Sequence, residues 1–120
     1  MKLDTYNEYC ASLPATSHVV QWGGAHVWKV GGKVFAIAGW HDGGDPHIVF
    51  KTSDLAFDIL KEQPGLRPAP YLAPRGGKWI QMFEVEAMAD DDLFSYLRES
   101  HRLISLKLTK KLQRELGLID

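Results

Sequence analysis

Cationic side chains recur beside turns and tryptophans along the chain, and this pattern has the clearest chemistry in the sequence. The six cations concerned are Lys29, Lys33, Lys51, Arg67, Arg75 and Lys78. Such side chains can contact nucleic-acid phosphates, and alternation along a strand puts Lys29 on the face opposite to Trp28. One set of residues can then enter the core while the other stays exposed. The alternative stays open that the tryptophans are core residues and the lysines are solubilising charges at strand edges.

The stretch RPAPYLAPRGGKWIQMF (67–83) contains three of these cations. Its prolines restrict the backbone, and Gly76-Gly77 predicts a turn into a strand that starts at Lys78. We interpret residues 67–77 as a rigid connection that presents Arg75 and Lys78, rather than as a spacer.

Motifs for nucleotide and metal binding are incomplete. In VGGK (30–33), a phosphate-binding loop would need glycine at position 27 and a hydroxyl residue at position 34, where Val27 and Val34 stand. The loop HDGGDPH (41–47) brings two histidines and two aspartates together, but no second cluster completes a ligand set. We interpret it as a polar turn and predict neither a metal site nor a cofactor.

Covalent or acid–base catalysis has two candidates, and neither is strong. Cys10 falls on the apolar stripe of a predicted helix at 3–12, where it is expected to be a buried hydrophobe. His101 lies on the apolar stripe of a long helix, where a structural role is favoured over that of a general base. The sequence therefore predicts no catalytic residue and a protein that is not an enzyme.

Length and charge limit the remaining possibilities. The 120 residues suit one domain (1–120), and no apolar run is long enough to span a membrane. The net charge of −1 offers no general attraction to nucleic acid, so such binding needs a local patch. Residues 84–92 carry five acids and no base, whereas residues 98–114 carry six bases and one acid. A single cysteine and acidic residues near the N-terminus favour the cytoplasm.

The order of predicted elements indicates an α+β domain with an antiparallel sheet. A helix at 3–12 precedes four strands, and Gly31-Gly32 predicts a tight hairpin between the second and the third. The strands are expected at 18–22, 26–30, 33–38, 47–51 and 78–84, and the later helices at 54–63, from 90–92 onward and after Thr109.

Several segments resemble the MmcQ/YjbR family over nearly the whole chain. They are HVWKVGGKVFAI (26–37), IVFKTS (48–53), RPAPYLAPRGGKWIQM (67–82) and LRESHRLISLKLTKKLQREL (97–116). The resemblance implies a CyaY/frataxin-like fold, with an antiparallel sheet and helices packed on one side. It also implies a non-enzymatic protein without a cofactor, in which hairpins and loops form a double wing that contacts DNA.

The leading hypothesis is a protein that binds double-stranded DNA through its phosphates. The alternative is a protein-interaction module that offers the basic surface of residues 98–114 to an acidic protein partner. A third hypothesis, by analogy with frataxin, is binding of a small molecule or metal at the acids of 84–92. It is weaker because the acidic helix of frataxin-type proteins is N-terminal, and the first helix here carries only Asp4 and Glu8. No membrane partner is expected.

Overall fold

The computed structural model describes residues 1–39, 44–70, 72, 77–84 and 86–120. Its helices are α1 (Leu3–Ser12), α2 (Asp54–Leu60), α3 (Asp90–Ser105) and α4 (Lys110–Glu115). Its strands are β1 (Thr16–Gln21), β2 (Ala25–Val30), β3 (Lys33–Gly39), β4 (His47–Lys51), β5 (Leu66–Pro68) and β6 (Trp79–Met82). The α+β class expected from the sequence is confirmed.

The strands form one antiparallel sheet in the order β1-β2-β3-β4-β6-β5. The β2–β3 connection is the predicted hairpin, and Gly31 and Gly32 both have positive φ, at 56° and 84°. Glycine suits both positions because two-residue hairpin turns of this kind need left-handed backbone. The β2–β3 turn, the end of β4 and the start of β6 lie at the same end of the sheet, called here the hairpin end.

Three helices pack on one face of the sheet, as expected. Buried side chains from α1, α2 and α3 meet those of the strands in one cluster, which includes Tyr6, Phe57 and Leu97. The acids Asp90 to Asp92 occupy the first turn of α3, where they complement the positive end of the helix dipole. Of the predicted α3 stripe, Leu93, Leu97, His101 and Ile104 are buried, whereas Phe94 is only partly buried against the core.

The second face of the sheet carries a smaller apolar cluster, which the sequence did not lead us to expect. Ala25, Val27, Ile37, Val49 and Ala69 are all at most 1% exposed there. Leu72 and Trp79 pack against them, so residues that follow β5 return across this face.

Several elements differ from those expected, beginning with β1, which runs Thr16–Gln21 where residues 18–22 were predicted. Leu66–Pro68 forms β5, which pairs with β6 inside the segment that we interpreted as a connection. The final strand is limited to Trp79–Met82, and α2 ends at Leu60, followed by turns that lead to Pro64 and Gly65. A three-residue strand is too short for side-chain alternation to reveal it. None of the helices in the described ranges is long and apolar enough to cross a membrane.

Candidate nucleic-acid interface

Four of the six predicted cations lie at the hairpin end of the sheet. Lys29 and Lys33 flank the β2–β3 turn, and Lys51 is the last residue of β4. Lys78 directly precedes β6, and its carbonyl oxygen accepts a hydrogen bond from the Thr52 amide at 2.8 Å. The antiparallel pairing of neighbouring strands therefore collects lysines that are far apart in the sequence.

Aromatic rings hold two of these lysines in place. The Nζ atom of Lys51 lies 5.7 Å from the ring centre of Trp79, its direct partner in the β4–β6 pairing. The Nζ atom of Lys78 lies 5.0 Å from the ring centre of Phe57 on α2. Contact with the face of a ring attracts an ammonium group without neutralising its charge. Both ammonium groups are thus held at defined positions.

Burial and neighbouring charges both act on the ammonium group of Lys51. Partial burial lowers its pKa most, and the neighbouring charges of Lys107 and Lys78 lower it further, while Asp54 acts in the opposite sense. Lys107 follows α3 and was not among the predicted site residues. It was recognisable only as one member of the basic segment 98–114, because nothing local in the sequence indicates that the end of α3 meets the end of β4.

The β2–β3 turn lies against the C-terminal segment. A Cβ atom added to Gly31 would lie 2.6 Å from Cδ1 of Leu108 and 3.2 Å from Cδ1 of Leu116, the residues that bracket α4. The two basic surfaces that the sequence suggested, the hairpin and the C-terminal helices, are therefore neighbours. The sequence had led us to treat them as separate.

Of the two arginines among the predicted cations, Arg67 lies apart from this group. Arg67 lies on the edge strand β5, where its Nε donates a hydrogen bond to Oε1 of Gln81 at 2.7 Å. Its guanidinium carbon also lies 4.6 Å from the ring centre of Phe83, so the side chain is held along the sheet. Arg75 lies outside the described residues.

Acidic residues collect at the opposite end of the sheet. Asp45 precedes β4, Asp90 begins α3, and both line a surface depression together with Glu86. The Met1 amino group lies 3.7 Å from the Asp90 carboxylate and 4.0 Å from that of Asp45. The sheet therefore has a cationic hairpin end and an acidic opposite end.

His101 has a structural environment. Its Nε2 donates a hydrogen bond to the carbonyl oxygen of Pro14 at 2.8 Å, and its ring packs edge-on against Phe35. Burial lowers the pKa of His101, and the bond to Pro14 opposes that change only in part. The imidazole connects α3 to the α1–β1 junction, which fits the structural role favoured by its place on the helix stripe.

The remaining reactive groups are the Cys10 thiol and the side chains of the loop HDGGDPH. Burial raises the pKa of the fully buried Cys10 thiol, which keeps the sulfur protonated and poorly nucleophilic. Of the loop HDGGDPH, residues 41–43 lie outside the described part. Among the residues that are described, no group of three or more His, Cys, Asp or Glu side chains could hold a metal ion.

One polar cluster on β1 and β2 was not anticipated. Nε1 of Trp28 donates to Oδ1 of Asn7 at 2.9 Å, which turns the Asn7 amide nitrogen toward Nδ1 of His26, 3.4 Å away. Nδ1 of His26 is then an acceptor, so Nε2 of His18, at 3.0 Å, is the donor. The spacing of histidines in sequence could have indicated it, since His18 and His26 flank a hairpin turn.

Comparison with known proteins assigns the family. A family model described as YjbR matches residues 11–103. The chain belongs to the YjbR family. This confirms the resemblance seen in the sequence, and a comparison with curated proteins finds no match.

Two crystal structures share the fold of this YjbR chain. Deinococcus radiodurans protein DR2400, with a DUF419 domain, superposes with a TM-score of 0.85 at 22% identity, over 99% of this chain and 90% of that one. A Pseudomonas syringae protein, Northeast Structural Genomics Consortium target PsR293, gives a TM-score of 0.67 at 18% identity, over 86% of this chain and 98% of that one. At such identities the likeness concerns the fold alone.

Proposed function

We propose that this YjbR chain binds double-stranded DNA through its phosphates, at the hairpin end of the sheet. The observation that carries the proposal is the collection of Lys33, Lys51 and Lys78 at this end by strand pairing, where the charge of Lys107 also acts on Lys51. Holding like charges together costs free energy in the unbound protein. A polyanion that binds across them offsets that cost, and phosphate binding by lysines releases counterions from DNA.

The ion pairs of the described residues leave these lysines available. Lys61 pairs with Asp58, Arg102 with Glu99, and Lys111 with Glu115. Lys51 and Lys78 rest on aromatic rings, as Lys61 also does, but neither has an ion pair among the described residues. Cations without a carboxylate partner can exchange water for phosphate oxygens at little cost. The hairpin end is thus better prepared to bind an anion than the helix surfaces on which acids neutralise the bases.

The same arrangement favours binding that depends little on base sequence. The β2–β3 hairpin and the start of β6 act as the two wings of the proposed double wing, and each presents lysines, whose ammonium groups can contact phosphates whatever the base sequence. The protein is proposed to be a binding protein rather than an enzyme, since Cys10 and His101 are both buried in structural roles. A cytoplasmic location is part of the proposal, and the single cysteine, which suits a reducing compartment, supports it.

Titration of a labelled duplex at several salt concentrations tests the proposal. Lys51→Ala, Lys78→Ala and Lys33→Ala should each weaken binding to unrelated duplexes to a similar degree. Each should also lower the slope of log K against log salt by about one unit, because each removes one phosphate contact. Lys2→Ala is the matched control, since this lysine lies with Asp45 and Asp90 at the acidic end of the sheet. Absence of duplex binding by the wild-type protein at low salt would contradict the proposal.

An acidic protein partner is the second candidate function. The contact of Gly31 with Leu108 and Leu116 favours it, because it joins the hairpin lysines to those of the C-terminal segment in one surface. The test is a double variant, Lys110→Ala with Lys111→Ala. If duplex DNA binding survives this double change and is also unaffected by Lys51→Ala and Lys78→Ala, the DNA-binding site lies elsewhere on the protein. If no DNA binds and an acidic polypeptide such as polyglutamate does, the second function replaces the first.

A further inference from the structure

The outer edge of β1 is an open strand edge that lacks the usual protection. Among the described residues, no strand lies beyond β1, and its sequence TSHVVQ has no lysine, arginine, acid or proline. Val19 and Val20 are 36% and 52% exposed, and Trp22, which follows the strand, is 53% exposed. Monomeric proteins usually blunt such edges with charges, proline or a bulge, because a bare edge pairs with other strands.

The other edge of the sheet is protected in the ordinary way. The strand β5 is only three residues long, ends in Pro68 and carries Arg67, whose side chain lies along the sheet against Gln81 and Phe83. Proline removes a hydrogen-bond donor and a charge disfavours pairing with another chain. Each copy of the chain therefore has one edge that can accept a strand.

We propose that β1 pairs antiparallel with β1 of a second copy, forming a closed dimer with a continuous sheet across the interface. One open edge in each copy favours a closed two-fold pair, because a head-to-tail chain would need β5 as its second edge. In this dimer, each copy covers the partly exposed side chains of Val19, Val20 and Trp22 of the other copy.

The charge distribution suits this pairing. The strand β1 runs from Thr16, opposite Val30 at the hairpin end, to Gln21, opposite Ala25 at the acidic end. When two copies of β1 run antiparallel, the cationic end of each copy comes to lie on the same side of the dimer as the acidic end of the other. The pairing strands contain no lysine, arginine, aspartate or glutamate, so they bring no permanent like charges together.

Side-chain alternation restricts the register. A two-fold axis perpendicular to the sheet keeps the helix faces of both copies on the same side, so residues that oppose each other must share a face. His18 and Val20 lie on the face of Trp28 and His26, whereas Val19 lies on the face of Val27. Placing Val19 on the axis opposes His18 to Val20 of the second copy. Placing His18 on the axis would oppose the two His18 imidazoles, which repel each other when both are protonated. The register with Val19 on the axis is therefore favoured.

Sedimentation equilibrium of the purified full chain over a wide concentration range tests the dimer. The wild-type protein should be a dimer, and Val20→Lys should weaken association by at least about tenfold, because an ammonium group would be buried without a partner. Leu55→Lys is the matched control, since it removes an apolar side chain that is 72% exposed on α2, away from β1. A wild-type chain that stays monomeric at high concentration, or forms open-ended aggregates, overturns the proposal, as does dissociation caused equally by Leu55→Lys.

Oxidative cross-linking tests the register. Directly opposed residues in antiparallel strands have Cα atoms about 4.5–5.5 Å apart, within the range of about 4.4–6.8 Å for disulfides. Val19→Cys should therefore cross-link to the second copy. Ser17→Cys should not, because the two positions would be about 14 Å apart along the strands. Cross-linking of Ser17→Cys but not Val19→Cys would overturn this register, and no cross-link with either variant, in a chain that is otherwise dimeric, would move the interface away from β1.

Discussion

The hydroxyl of Ser100 on α3 accepts a hydrogen bond from the backbone amide of Lys51 at 2.9 Å. The same hydroxyl donates to the carbonyl oxygen of Phe35 at 2.6 Å, so one fully buried side chain joins α3 to both β3 and β4. This bond orients the end of β4, where the charges of Lys107 and Lys78 act on the Lys51 side chain. The long helix therefore positions the proposed phosphate site as well as covering the core.

Ser100→Ala should destabilise the protein by about 1–3 kcal/mol, because it leaves a buried amide and a buried carbonyl without this partner. Urea denaturation measures the change. Ser95→Ala on the same helix is the control, since its exposed hydroxyl bonds only to the carbonyl of Asp91 in its own helix. Equal effects of the two substitutions would show that the Ser100 bridge adds no stability.

Stability should fall as the pH drops below about 6.5, the ordinary pKa of an unfolded histidine. Burial lowers the pKa of both His101 and His18 in the folded protein. The folded state then binds fewer protons than the unfolded state, so stability is full above that pH and is lost on acidification. His101→Gln keeps a donor for Pro14 and does not titrate. We expect its free energy of unfolding to depend less on pH than that of the wild type.

The same histidine allows a test of its role. His101→Ala should cost about 1–3 kcal/mol of stability, as do other truncations of buried side chains. Thermal and urea unfolding provide the measurement. Unchanged stability combined with loss of a turnover found in a substrate screen would instead identify His101 as a catalytic base.

Gly31→Ala should destabilise the protein more than Gly32→Ala. Both positions have positive φ, which costs an alanine about 1 kcal/mol. At Gly31 the new Cβ also meets Leu108 at 2.6 Å, whereas at Gly32 nothing lies within 4 Å. Urea denaturation of the two variants gives the difference in stability, and methyl chemical shifts of Leu108 should change more in Gly31→Ala. Similar effects at both positions would argue against tight contact between the hairpin and the C-terminal segment.

Removal of the Lys107 charge should raise the pKa of Lys51, since that charge lowers it. The pKa of Lys51 can be followed by NMR after isotopic methylation of the lysines. Lys107→Gln is expected to raise it, and Lys110→Gln, one turn farther into the C-terminal segment, is expected to leave it nearly unchanged. A Lys51 pKa that is insensitive to Lys107→Gln would remove the main support for a shared phosphate site.

Local patterns in the sequence were sufficient to predict most of the elements and part of the site. The apolar stripe of α3, the Gly31-Gly32 hairpin and the cap at Thr109 each depend on neighbours within a few residues, and each is present where it was expected. The lysines at the proposed site could be named for the same reason, since their proximity to turns and tryptophans is visible in the chain.

Only the tertiary structure determines which cations lie near one another. Lys51 and Lys78 are brought together by the β4–β6 register, and Lys107 joins them because α3 crosses the sheet toward its hairpin end. Strand register and helix direction arise from packing between distant segments, and neither leaves a local periodicity. The same reason explains why β5 was missed and why Arg67 lies apart from the lysines: three residues become a strand only when Gln81 and Met82 are there to pair with them.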